Sequence, residues 1–120
     1  MKTPLARLLF ALLALLTLNA SAVTRYVNLN SPSPTPPYTN WPTAATNIQD
    51  AVDAAVEGDT VLVTNGVYAT GGRAVFGTMT NRVTVDKALM LSSVNGPSFT
   101  AILGYQLPVT TNGEIGRAHV

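Results

Sequence analysis

Residues 46–63, Thr-Asn-Ile-Gln-Asp-Ala-Val-Asp-Ala-Ala-Val-Glu-Gly-Asp-Thr-Val-Leu-Val, constrain this chain more than any other stretch, because they change hydrophobic period at a glycine. Ile48, Ala51, Val52, Ala55 and Val56 recur at helical spacing and lay one apolar stripe along a helix, with Gln49, Asp50, Asp53 and Glu57 outside it. Thr46 with Gln49 three residues later has the form of a capping box, which predicts where the helix starts. Gly58 can adopt the left-handed conformation that ends a helix, and residues 60–63 are β-formers. A helix of about ten residues spans only ~15 Å and is marginal in water by itself, so its stripe must lie against an apolar surface built elsewhere. The stretch therefore predicts a short helix serving as a lid on the strands that follow.

Upstream, residues 1–22 have the parts of a secretory signal peptide. Lys2 and Arg7 precede an apolar run over residues 8–18, and Ala20-Ser21-Ala22 supplies the small residues of a cleavage site, which puts the cut between Ala22 and Val23. The run is shorter than the ~20 residues needed to span a bilayer, so the expected product is exported, secreted or held at the cell surface, with no membrane span in the mature chain. Beyond residue 22 the cations Arg25, Arg73, Arg82, Lys87 and Arg117 face six acidic residues, and none of the cations cluster. A net charge of about −1 with scattered cations argues against nucleic acid as a partner. With no cysteine in the chain, stability must come from burial and backbone pairing rather than disulfides.

Residues 25–29 alternate enough for a first strand, and the four prolines of Ser31-Pro32-Ser33-Pro34-Thr35-Pro36-Pro37 make the next segment an extended connection. Tyr38 and Trp41 can anchor that connection on the core or face a sugar ring, and anchoring is the favoured expectation. Residues 60–64, 67–68, 82–85, 88–92 and 100–103 read as short strands separated by turns. Val61-Leu62-Val63 before Asn65-Gly66 is echoed by Leu89-Met90-Leu91 before Asn95-Gly96, an offset of 28 residues between the apolar triplets. Asn-Gly turns also suit hairpins, which keeps a small antiparallel β domain with one helix as the alternative.

Residues 114–120 break the pattern. Ile-Gly-Arg-Ala-His-Val is the translation of ATC GGA AGA GCA CAC GTC, the start of a widely used sequencing-library adapter, so this tail is expected to be non-native. His119, the sole histidine, is accordingly set aside as a base or metal ligand. The expected organisation is a signal peptide over 1–22, a strand, Pro-rich loop and capping helix over 23–59, truncated coils over 60–113, and the adapter-derived tail over 114–120.

Trp41, then Ala44-Ala45-Thr46-Asn47-Ile48-Gln49-Asp50-Ala51, Gly58-Asp59-Thr60-Val61-Leu62-Val63, Asn65-Gly66-Val67-Tyr68 and Val83-Thr84-Val85-Asp86-Lys87 together resemble the N-terminal region of bacterial secreted right-handed parallel β-helix proteins of the pectin-lyase-like architecture. The resemblance covers residues 25–104. It implies a mainly β fold, with an N-terminal α-helix capping about one and a half coils of a solenoid, whose upper edge at residues 100–103 is left exposed. Enzymes and non-catalytic surface proteins share this beginning, and fold alone does not choose between them. In lyases of this kind the resemblance implies that calcium ligands and basic residues lie on central coils, beyond these residues.

No catalytic, cofactor-binding or metal-binding residue can be assigned. Asp50, Asp53 and Glu57 fit a solvated helix face, Asp59 fits a turn, and Gly71-Gly72 has no following Lys-Ser/Thr to make a phosphate loop. The expectation is a non-catalytic exported β-helix that contacts a polysaccharide or cell-surface glycan, with a truncated polysaccharide lyase or glycoside hydrolase as the alternative and no cofactor implied.

Overall fold

The computed structural model describes residues 21–104 and 117–120. All but the last two residues of the leader expected over 1–22, and most of the terminal tail, lie outside these residues. Strands β1 (Thr24–Val27), β2 (Thr60–Val63) and β6 (Met90–Ser93) form one sheet, and β3 (Gly66–Tyr68), β7 (Thr100–Leu103) and β8 (Arg117–His119) form a second. Strands β4 (Arg73–Phe76) and β5 (Met79–Asn81) make a separate hairpin, and one helix, α1 (Ile48–Ala54), lies between β1 and β2 in sequence. Among the described residues the fold is mainly β with one helix, and the sheets stay open. A small β domain with one helix, the alternative weighed above, describes this architecture, but its pairing is mixed rather than antiparallel throughout.

In the first sheet β1, β2 and β6 are all parallel and stack in register, Arg25 beside Val61 beside Leu91 and Val27 beside Val63 beside Ser93. Burial alternates along β1 and β2, as a period of two requires when one face meets a core. Arg25, Val27, Val61 and Val63 point inward. β3 and β7 are also parallel, with Tyr68 beside Ile102. Among the described residues only β4–β5 and β7–β8 pair antiparallel. Parallel strands cannot be joined by a tight turn, which is why the helix and the Pro-rich segment sit between β1 and β2.

Helix α1 packs on β1 and β2 and buries Ile48, Ala51 and Val52, with Ala55 beside them. Each such aliphatic side chain removed from water contributes roughly 1.5–3 kcal/mol when it is as large as Val or Ile. The helix begins one residue later than the Thr46 cap expected. Asn47 is the cap: its Oδ1 accepts from the Asp50 N–H at 2.9 Å and its Nδ2 donates to the Asp50 carboxylate at 2.8 Å. The helix also ends earlier, at Ala54, because Ala55 is already extended. Val56, expected on the apolar stripe, is therefore out in solvent at 54% exposure. Lys87 takes the place of further turns, donating from Nζ to the carbonyls of Val52 at 3.1 Å and Ala55 at 2.8 Å, where a cation suits the negative end of the helix.

Gln49 is the largest departure on the helix. Expected on the wet face, it is 1% exposed. Its Oε1 accepts from the Thr84 N–H at 2.6 Å, while its Nε2 donates to the Thr84 carbonyl at 3.2 Å and to Asp53 at 2.7 Å. A side-chain amide thus supplies both partners that a neighbouring strand would give to Thr84. Residues 82–85, expected as a strand, form none, and at Thr84 the backbone is satisfied by α1 instead of by a ladder.

Besides β8, the strands missed by sequence are β4 and β5, which join through a two-residue loop with Gly77 at φ +58°. Gly71, just before them, has φ +78°, and a Cβ there would lie 2.6 Å from the Asn47 Oδ1 that caps α1. The hairpin is thereby passed close over the start of the helix. The edge expected to be open at residues 100–103 is occupied, since β8 pairs with β7 and Thr100 and Ala101 are buried. β8 belongs to the tail read as adapter-derived, so no functional argument is placed on it.

Asp59 joins these parts. Its carboxylate is buried and accepts from the N–H of Val23 (2.9 Å), the N–H of Val56 (2.9 Å), and Nε and Nη2 of Arg25 (3.1 and 3.0 Å). Arg25 also donates from Nη1 to the Pro37 carbonyl at 3.0 Å. Burial alone would raise the Asp59 pKa, but the Val56 and Val23 N–H groups and the Arg25 guanidinium outweigh it and hold the carboxyl below its ordinary value. The folded state then binds this proton less tightly than the unfolded chain. Its stabilisation is complete above the unfolded pKa, ~3.9, and is lost as pH falls through the lower folded value. Asp59→Asn is expected to lower stability by about 3 kcal/mol at neutral pH, since it leaves Arg25 buried without its counter-charge. Urea midpoints measured down through the acid range should fall less steeply in the variant than in the wild type; parallel curves would contradict this account of Asp59.

Candidate functional site

The Pro-rich connection runs along the free edge of β1 and satisfies it. The Tyr26 N–H donates to the Tyr38 carbonyl at 2.7 Å, the Ala45 N–H to the Tyr26 carbonyl at 2.9 Å, and the Asn28 N–H to the Ala45 carbonyl at 2.8 Å. An edge that would otherwise offer unpaired groups to another chain is covered. The loop thus covers the edge of β1 while α1 packs on β1 and β2, whereas the sequence assigned the covering role to the helix alone.

The loop also sorts its two aromatic residues. Tyr38 has φ +60°, an uncommon conformation for a bulky residue, and its side chain is buried in the core cluster with Val27, Ala45 and Ile48. Burial raises its pKa, and the nearby Asp50 charge adds to that. Tyr38 is the anchor. Trp41 is 36% exposed and meets Tyr26 edge to face, with ring centroids 4.5 Å apart and planes at 63°. Anchoring, expected of both residues, therefore holds for Tyr38, while Trp41 stays partly in solvent.

The backbone around Trp41 is fixed locally. Asn40 Oδ1 accepts from the Thr43 N–H at 3.0 Å and from its hydroxyl at 2.6 Å, and the Ala44 N–H donates to the Trp41 carbonyl at 3.2 Å. Such a turn holds its tip without using Trp41's side chain. Tyr26 lies on the outer face of the first sheet, in register with Leu62 and then Ser92, and all three are partly exposed. The result is a rigid aromatic step, Trp41 on Tyr26, standing at the lower end of a shallow outward-facing column.

The acidic residues do not converge. Asp50 is occupied by the Asn47 cap and Asp53 by Gln49, and Arg73 lies 2.9 Å from Asp86 and 3.6 Å from Asp53 in a half-exposed surface network. Exposed pairs of this kind contribute about 0–1 kcal/mol. Among the described residues no group of three His, Cys, Asp or Glu side chains is placed to hold a metal ion, and no helix is long and apolar enough to cross a membrane. His119 Nδ1 lies 2.8 Å from the Pro97 carbonyl. The chemistry available at the aromatic step is contact with a flat, partly apolar ligand face.

The different burial of the two rings has a measurable consequence. Tyr38→Ala is expected to cost about 3 kcal/mol or more, as for other large buried rings, and Trp41→Ala less than about 1.5 kcal/mol. Equal urea midpoints for the two variants would show that Trp41 is a core anchor and not a surface group. No protein-family model matches this chain, and comparison with curated proteins and with solved structures finds no match.

Proposed function

We propose that this chain is the N-terminal cap and first coils of an exported parallel β-helix protein that contacts a polysaccharide or cell-surface glycan and is itself non-catalytic. The observation that carries the reading is the in-register parallel stacking of β1, β2 and β6, matched by that of β3 and β7. Two sheets, each growing in the same direction from successive passes of the chain, are what the first turns of a solenoid require. Asn95 Nδ2 donates to Asn65 Oδ1 at 2.9 Å across 30 residues, so equivalent turns of successive passes also stack. Export rests on the reading of residues 1–22 as a leader. Glycan contact is supported by the aromatic step of Trp41 on Tyr26, since a rigid ring partly in water offers apolar area to a sugar at little entropic cost.

Affinity electrophoresis tests this in gels cast with single polysaccharides, acidic (polygalacturonate, alginate) and neutral (xyloglucan, arabinan). The processed chain is expected to be retarded by at least one of them, with Trp41→Ala binding about tenfold more weakly, equivalent to ~1.4 kcal/mol. No retardation in any gel contradicts the glycan reading. Retardation accompanied by new chain ends in the polysaccharide contradicts the non-catalytic part and favours a truncated lyase or hydrolase.

A further inference from the structure

Val23 is 36% exposed, yet its backbone is held on both sides. Its backbone N–H donates to Asp59 Oδ1 at 2.9 Å, and its carbonyl accepts from the Thr60 N–H at 3.0 Å. The two carboxylate oxygens are used differently. Asp59 Oδ2 takes both Arg25 nitrogens and the Val56 N–H, whereas Oδ1 takes Val23. Ser21 and Ala22, just before it, are exposed. The nitrogen at 2.9 Å from the buried carboxylate is the same nitrogen that cleavage between Ala22 and Val23 would release.

We propose that removal of the leader completes the fold by turning the Val23–Asp59 hydrogen bond into an ion pair with the new N-terminus; the proposal rests on the export reading of residues 1–22. In the cleavage, catalysed by a signal peptidase of the exporting cell, water adds across the Ala22–Val23 amide. The C–N bond breaks: the Ala22 carbonyl carbon keeps the hydroxyl and ionises to the leader's carboxylate, and the Val23 nitrogen takes both the remaining proton of the water and the one the acid releases, becoming an ammonium at neutral pH. A neutral N–H donor is thereby replaced, in place, by a charged one, and charge-assisted hydrogen bonds are roughly twice as strong as neutral ones. Asp59 then lies between two cations on different oxygens, Arg25 on Oδ2 and the N-terminus on Oδ1. The cut position matters closely: a chain starting at Ala22 keeps the Val23 N–H bond but moves the charge out by about 3.5 Å, the length of one extended residue. A chain starting at Thr24 loses the donor altogether. The processed domain is therefore more stable than the same domain still attached to its leader, which favours folding after export over folding before it.

The test uses the full chain expressed for export, with the intact mass of the recovered product as the first readout. A product beginning at Val23 agrees with the proposal; an uncleaved product, or one cut elsewhere, overturns the export reading on which it rests. The second readout is independent of export. The chain released with Val23 as its first residue is compared, by urea unfolding at pH 7, with the same chain carrying one extra residue, Ala22, and with the Val23 chain acetylated at its N-terminus. The free Val23 chain is expected to have a folding equilibrium constant about tenfold above both, which is ~1.4 kcal/mol. In the Asp59→Asn background that gap should close. Equal stability of the three chains overturns the ion pair, and so does a gap that persists in Asp59→Asn. Should that variant fail to fold, the acetylated chain alone decides between the two results.

Discussion

The buried Arg25–Asp59 pair is the interaction on which the remainder of the architecture depends. It ties three pieces that are distant in sequence: the start of β1 through Val23 and Arg25, the Pro-rich loop through the Pro37 carbonyl, and the turn from α1 into β2 through the Val56 N–H and Asp59 itself. A buried ion pair is tolerable only when its remaining hydrogen-bonding capacity is met, and backbone N–H groups and a carbonyl meet it here. The geometry also sets the register of the first sheet. With Asp59 fixed to Val23 and Arg25, Thr60 falls beside Thr24 and the inward positions Val61 and Val63 follow. A slip by one residue would turn those valines outward.

From that anchored pair the sheet extends in one direction. The Met90 N–H donates to the Asp59 carbonyl and the Gly58 N–H to the Ala88 carbonyl, so the third pass is laid directly on the turn that the ion pair organises. On the other side, β1 is closed off by the backbone of Tyr38 and Ala45. One edge is therefore sealed by a loop rich in proline, which itself offers few donors, and growth is left to the other. Such asymmetry suits a chain whose strands stack upward from a sealed base. It also explains why the aromatic step of Trp41 on Tyr26 stands at the base: the loop that seals the edge carries the tryptophan.

Much of the helix and of β2 was legible because local signals agreed there: a helical stripe, a glycine and then β-branched residues. Asp59 as a turn acceptor was also legible, but its ion pair with Arg25 was not, since nothing in a single sequence marks which residue 34 positions away faces a carboxylate. Gln49 defeated the pattern for a related reason. A polar residue reads as solvent-facing, and only the approach of Thr84 turns its amide into a substitute strand. The helix start was off by one because Thr46 and Asn47 are both good caps, and the asparagine wins by gaining a second bond to Asp50. The apolar triplets suggest an offset of 28, whereas the strands pair Val61 with Leu91 and the Asn-Gly turns meet at 30. The turns, whose backbone is the more constrained, were the better guide. The β4–β5 hairpin carried its signal in Gly77-Thr78 between two short β-forming runs, and its exposed Val75, Phe76 and Met79 hid it from any criterion based on burial.

The parallel stacking of successive passes of the chain is tested most directly by nuclear Overhauser contacts between backbone protons in isotopically labelled, processed protein. The predicted result is a ladder of contacts linking Tyr26 to Leu62 and Leu62 to Ser92, with Val67 linked to Ala101. Contacts that instead fold β2 back on β3 around Asn65-Gly66, joining Val63 to Val67 or Tyr68 in a hairpin register, would contradict it and remove the basis for reading this chain as the base of a solenoid.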